Sequence, residues 1–165
     1  MRPSFLFETD IVLSPLSTLP PIGEVVPHSG RMLLLDRIVQ FDAESLTSEL
    51  TIHADSPFVR DSAIGAWVAL EYMAQSIAAF AGCVARTRGE PPRVGFLIGS
   101  RHFTSNTPSI PVATTLRVHI IRELQDESGL GAFSATVRGD NIEIDAVLSV
   151  FQPHDVEQFM KMSKV

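Results

Sequence analysis

Residues Ile64–Gly82, IGAWVALEYMAQSIAAFAG, carry a single charged side chain, Glu71, in a stretch of nineteen. A helix that is apolar almost all round is covered by other structure, so this stretch predicts a long central helix. An ionised carboxylate is costly to take into such surroundings unless it finds a partner or gains a proton. Carboxylates held in this way are candidates for proton transfer. Trp67, Glu71 and Gln75 follow at i, i+4 and i+8, which puts an indole, a carboxyl and an amide in line on one face. The alternative is a glutamate at a helix end that points to solvent or pairs with an arginine. The central position of Glu71 favours the chemical role.

At 165 residues the chain has the size of one domain with a core that needs no covalent staples. A hydrophobic content of 45% fits a folded domain that also buries surface in an oligomer. The net charge of −6, with only small Lys/Arg clusters, argues against nucleic acid. The single cysteine, Cys83, excludes a disulfide framework and a cysteine-based metal site, and on the apolar helix it reads as a small core residue. Met1–Pro21 includes Glu8 and Asp10 and no long apolar run, which makes a poor signal peptide. Glu71 interrupts the one apolar helix, so no charge-free run reaches a membrane span and a cytoplasmic location is expected.

Ahead of the helix, MLLLDRIVQFDA (Met32–Ala43) is rich in leucine and β-branched residues, and SLTSELTIH (Ser45–His53) alternates apolar with polar. Together they predict a hairpin turning near Asp42–Glu44. The loop ADSPFVRDS follows, with Asp61 or Ser62 placed to cap a helix over about 62–86. Gly89, Pro91 and Pro92 end it. Further strands are predicted in VGFLIGSRHF, TTLRVHIIREL, GAFSATVRG and NIEIDAVLSVF, the last two joined at Gly139-Asp140. The order gives an α+β architecture, an antiparallel sheet of five or six strands wrapped around one helix. One sheet cannot cover such a helix on all sides, so a dimer is expected. Residues 1–19 read as an extended arm, 20–153 as the domain, and 154–165 as a tail with room for a short helix.

Four segments in order, VPHSGRMLLLDRI (Val26–Ile38), WVALEYMAQSIAAFAG (Trp67–Gly82), VGFLIGSRHFTSNTP (Val94–Pro108) and GLGAFSATVRGDNIEIDAVLSVF (Gly129–Phe151), carry a resemblance. With Pro27-His28, Leu35-Asp36-Arg37 and Glu71-Tyr72-Met73-Ala74-Gln75, the chain resembles the hot-dog-fold 3-hydroxyacyl–acyl carrier protein dehydratases. Trp67 ahead of the glutamate and the short preceding loop look closer to the predicted thioester dehydratases of aryl polyene synthesis. The resemblance implies a hot-dog fold and dehydration of a 3-hydroxyacyl thioester on acyl carrier protein to the trans-2-enoyl thioester, without a cofactor. It also implies two partners: acyl carrier protein bearing a phosphopantetheine-linked chain, and a second hot-dog subunit, identical or different.

In that family a histidine takes the proton next to the thioester carbonyl, an acid on the other subunit's helix handles the hydroxyl, and a backbone N–H at the helix start polarises the carbonyl. Glu71 matches the acid. The N–H falls on Ala66, with Gly65 where a proline usually stands, and Trp67, Phe58 and Gln75 lie near the expected acyl site. The histidine departs from the pattern: the family's loop position, fourteen before the acid, is Pro57 here. His28 is the first substitute, although typical family members carry a histidine there without using it as the base. His53, at a strand end before the short loop, is the alternative. His102 and His119 fall in strands and read as structural, and His154 lies in the tail. The histidines and acids show no metal-ligand spacing, and no nucleotide motif is present. Two other functions remain open: an acyl thioesterase using Glu71 with water, and a non-catalytic hot-dog subunit that partners an active dehydratase.

Overall fold

Along β2 (Ser45–Thr51), Leu46, Ser48 and Leu50 are buried while their neighbours stay half exposed, the period-two signature of a strand with one face on a core. The same alternation buries Leu116, Val118 and Ile120 of β6 (Thr115–Gln125), Phe133, Ala135 and Val137 of β7 (Leu130–Gly139), and Ile142, Ile144, Ala146 and Leu148 of β8 (Ile142–Phe151). The computed structural model describes residues 18–162. With β1 (Arg37–Phe41) and β4 (Phe96–Ser105), these strands form one antiparallel six-stranded sheet in the order β1-β2-β6-β7-β8-β4. It curves around α1 (Ala69–Thr87), which buries Met73, Ile77, Phe80 and Cys83 against it. This is the hot-dog fold. The expected arm lies outside the described residues apart from Thr18 and Leu19, and the tail carries a helix, α2 (Val156–Met162).

By length and composition alone, Ala66–Thr87 could cross a membrane, more so than the interruption at Glu71 suggests. Yet 67% of its apolar window is buried within the domain, so its apolarity is that of a core helix. Burial also pushes the Cys83 thiol up to about 11, in keeping with an inert core residue.

The turns show where local chemistry overrode pattern. At β1–β2, the Asp42 carboxylate accepts the Glu44 and Ser45 N–H groups at 2.9 and 2.8 Å and the Ser45 hydroxyl at 2.8 Å. Partial burial opposes its charge, but these bonds hold the Asp42 carboxyl below its usual range. Between β7 and β8 the turn residues are Asp140 and Asn141, one position later than expected, because Gly139 pairs with Ile142 and Asn141 takes the left-handed φ of 56°. Asp61 and Ser62 do not cap the helix. Both have positive φ, 51° and 60°, the two left-handed residues of a tight turn that bridges Arg60 to Ala63. The chain then runs as β3 (Ala63–Gly65), paired with β5 (Ser109–Pro111), and enters the helix through a 3-10 turn at Ala66–Val68 with no side-chain cap.

One close approach fixes the N-terminal segment on the helix. A Cβ on Gly82 would lie 1.9 Å from the Val25 carbonyl oxygen, so only glycine lets residues 22–26 cross α1 there. Gly82→Ala should gain up to about 1 kcal/mol of helix propensity but lose about 1–3 kcal/mol to overpacking against backbone. A net fall in the urea midpoint is expected; an unchanged or raised midpoint would mean that the segment does not sit on the helix.

Candidate active site

Val25 resting on Gly82 carries the following residues, Pro27 and His28, along the helix toward its start. His28 Nε2 comes within 3.6 Å of Glu71 Oε1, with the two side chains 30% and 33% exposed. Within this chain the glutamate that His28 faces is its own, because the crossing at Gly82 ties His28 to the same helix. His28 Nδ1 is buried and has no hydrogen-bond partner among the described residues. Leaving a buried polar atom unpaired costs about 1–3 kcal/mol, an expense that native structures tend to keep for working sites.

Gln75, one turn below Glu71 and fully buried, organises the pair. The Leu34 N–H donates to Gln75 Oε1 at 3.0 Å, and a backbone N–H can only donate, so that contact fixes which way the amide faces. Its Nε2 then donates to the Met32 carbonyl at 2.7 Å and to Glu71 Oε1 at 2.8 Å. The segment Met32–Asp36 spends two of its backbone groups on this amide. That is why β1 starts only at Arg37 and the predicted strand from Met32 is cut short. Glu71 Oε1 is thus held by Gln75 and faced by His28, while Oε2 makes no hydrogen bond among the described residues. The carboxyl is neither buried nor central in the helix as the sequence suggested: it stands in the first turn of α1, partly exposed, has found a partner and lines a groove.

That groove encloses about 560 Å³ and begins at Pro27, His28 and Glu71. Its floor includes the stripe Ala74, Ala78 and Ala81, half-buried, and Ala85, buried, of α1, and Phe96 and Phe151 line it toward the other end of the helix. The sequence reading missed this stripe, although small residues spaced by four, three and four on one helix face were there to be read. A groove with an alanine floor, and with a carboxyl and an imidazole among its lining groups, has room for an acyl chain.

The other expected site residues are placed differently. The Ala66 N–H donates to the Pro108 carbonyl at 2.9 Å, so it is not free to polarise a substrate carbonyl. The pairing of β3 with β5 takes that hydrogen, and the next amide in the turn is that of Trp67. Trp67 itself is 63% exposed and packs edge-on to Phe58 at 6.0 Å; neither lines the groove. Gly65 makes room for the indole, since a Cβ there would lie 2.3 Å from Trp67 Nε1. His53 does not join Glu71. It lines a separate cavity of about 150 Å³ with Asp36, Pro57 and Tyr72, and its Nε2 lies 3.9 Å from Asp36 Oδ1. Tyr72 follows Glu71 by one residue, about 100° round the helix, and burial pushes its hydroxyl up to about 12. His119 bonds the Thr47 hydroxyl at 2.9 Å and His154 the Glu127 carbonyl at 2.8 Å, both structural contacts. His102 has a φ of 54° at an irregularity in β4. No group of three or more metal-ligating side chains occurs among the described residues.

A hot-dog domain that brings a carboxyl and an imidazole together beside a groove along its central helix has the groups of an acid–base site. A family model for ApeP dehydratases matches residues 20–161, and the chain belongs to that ApeP-like dehydratase family. Among solved structures it is similar to a chain of the dehydratase heterocomplex ApeI:P from Xenorhabdus doucetiae, at 24% identity over 88% of this chain and 99% of that one, with a TM-score of 0.80. More distant likenesses are an HP0420 homologue from Helicobacter felis (10% identity, 86% and 95% covered, TM-score 0.59) and a hypothetical thioesterase with coenzyme A from Streptococcus pneumoniae TIGR4 (11%, 70% and 84%, TM-score 0.52). At these identities the structural likenesses speak for the fold. No curated protein matches the sequence.

Replacing Gln75 with leucine keeps the volume and removes all three bonds. Leu34 N–H and the Met32 carbonyl would be left unpaired, so a loss of about 2–4 kcal/mol by urea unfolding is expected. A stability within 0.5 kcal/mol of the parent, roughly the scatter of an ordinary surface substitution, would show that the amide ties nothing together.

Proposed function

We propose that this chain dehydrates a 3-hydroxyacyl thioester presented by acyl carrier protein, in the cytoplasm and as part of an aryl-polyene-type or fatty acid synthesis. The observation that carries the reading is the 3.6 Å approach of His28 Nε2 to Glu71 Oε1 at the mouth of the acyl-sized groove. In the productive state the proton sits on Glu71 Oε2, since Oε1 accepts from Gln75. His28 Nε2 takes the proton from the carbon next to the thioester carbonyl. Glu71 Oε2 gives its proton to the hydroxyl on the following carbon, the carbon–oxygen bond breaks, and water leaves as the trans double bond forms. Imidazolium and carboxylate then face each other across the short gap, and return of the proton restores the starting state.

The site works in an assembly. β4 is an edge strand of ten residues with Leu97 and Ile98 exposed, 43% and 59%. A long apolar edge of this kind is a template for another sheet. The relative from Xenorhabdus doucetiae belongs to a heterocomplex, and we read β4 as the edge along which this chain pairs with another hot-dog subunit. A second reading keeps the chain as the non-catalytic member of such a pair. Pro57 at the family's histidine position favours it.

Intact mass of a 3-hydroxyacyl carrier-protein thioester separates the alternatives: loss of water for a dehydratase, free acid for a thioesterase, no change for a binding subunit. With purified protein the loss of water is expected. Glu71→Gln and His28→Asn should each slow it roughly 10²–10⁴-fold with the melting temperature unmoved. Full activity in His28→Asn would assign the base to the other subunit.

A further inference from the structure

The groove that begins at Glu71 is lined, toward the C-terminal end of α1, by two rings whose position depends on a third. Phe96 of β4 and Phe151 of β8 are partners in register and both line the groove. Outside them lies Phe159 of α2, its ring 5.0 Å from that of Phe96 and 5.4 Å from that of Phe151, tilted by 39° and 50°. α2 has seven residues and none is buried. Its start is held by Asp155, whose carboxylate accepts the Gln158 N–H at 2.9 Å and whose carbonyl accepts the Phe159 N–H at 3.1 Å. A helix this short does not persist unaided. Phe159 anchors α2 to the domain, and α2 in turn holds Phe159 against the two rings.

We propose that Phe159 is a positioning residue that sets the length of acyl chain the groove accepts, by bracing Phe96 and Phe151; the inference rests on reading the groove as an acyl site. From Ala74 to Ala85 the helix advances about 16 Å. An extended carbon chain gains somewhat less than one ~1.5 Å bond per carbon, so the floor measures roughly a dozen carbons before the two rings. Chains that stop short never meet the rings. Longer chains must push them aside, and the brace resists. Without it the rings gain rotamer freedom and give way toward the space α2 leaves.

The test is binding of a series of saturated acyl-pantetheine amides of increasing length to the full-length protein in its assembled form, by titration calorimetry. Such amides undergo no dehydration, so the readout does not depend on turnover. The parent should show rising affinity up to a cut-off and a drop beyond it. In Phe159→Ala the cut-off should move to longer chains, with about a tenfold gain for the longest, the effect of burying two further methylene groups. Phe159→Trp should hold or shorten it. Affinity for short chains and the melting temperature should stay unchanged. A cut-off shared by the parent and Phe159→Ala would overturn the inference, and so would a parent series without any cut-off. Dehydration of a short 3-hydroxyacyl substrate, followed in parallel, separates the two readings: its failure beside a shifted cut-off sinks the dehydratase and leaves the gauge standing.

Discussion

The amide of Gln75 is the contact on which the site depends. It accepts one backbone hydrogen from the segment Met32–Leu34, donates to a carbonyl of the same segment, and donates to the carboxyl of Glu71. A buried amide so placed is fully committed, and replacing any partner leaves polar groups unpaired where water is absent. The chain yields strand hydrogen bonds at Met32–Asp36 to make this arrangement. In return, the loop that carries His28, the helix that carries Glu71 and the first strand move as one body. The imidazole of His28 and the carboxyl of Glu71 are thereby kept in register.

The helix itself answers two opposing demands. It must be apolar enough to fill a sheet's concave face, and it must leave a path for a long ligand along its own flank. Large residues, Tyr72, Met73, Ile77 and Phe80, meet the first demand and are buried. Alanines at 74, 78, 81 and 85 keep the groove open beside Ile77, Phe80 and Val84, which also line it. Gly82, between the last two alanines, serves neither; it admits the Val25 carbonyl and so fixes the path of the segment leading to His28. Nineteen residues of α1 thus hold the core, the groove floor, the acid and the docking point for the imidazole.

Part of the fold was legible because periodicity is a local property. The alternation in Ser45–Thr51 and Ile142–Phe151 and the apolar helix each stand in consecutive residues, and the sheet that follows is the one observed. The helix start was misread because Asp61 and Ser62 have the chemistry of caps, and nothing nearby reveals that a turn closed by Arg60 and Ala63 claims them first. The strand from Met32 was misread because its competitor, Gln75, lies 41 residues away from Leu34 along the chain.

The sequence by itself determined the fold class, the acid and its family, since those rest on hydrophobic spacing and on a motif, Glu71 to Gln75, contained in five consecutive positions. Only the tertiary structure decided which histidine meets Glu71. Both His28 and His53 end segments that lead toward α1, and their residue types are equal. The choice is made by a backbone crossing at Gly82 and by strand register, which send one imidazole to the groove mouth and the other to a separate cavity beside Tyr72. Local sequence sets what a side chain can do; distances between remote segments set what it is near, and those distances follow from packing that no short stretch encodes.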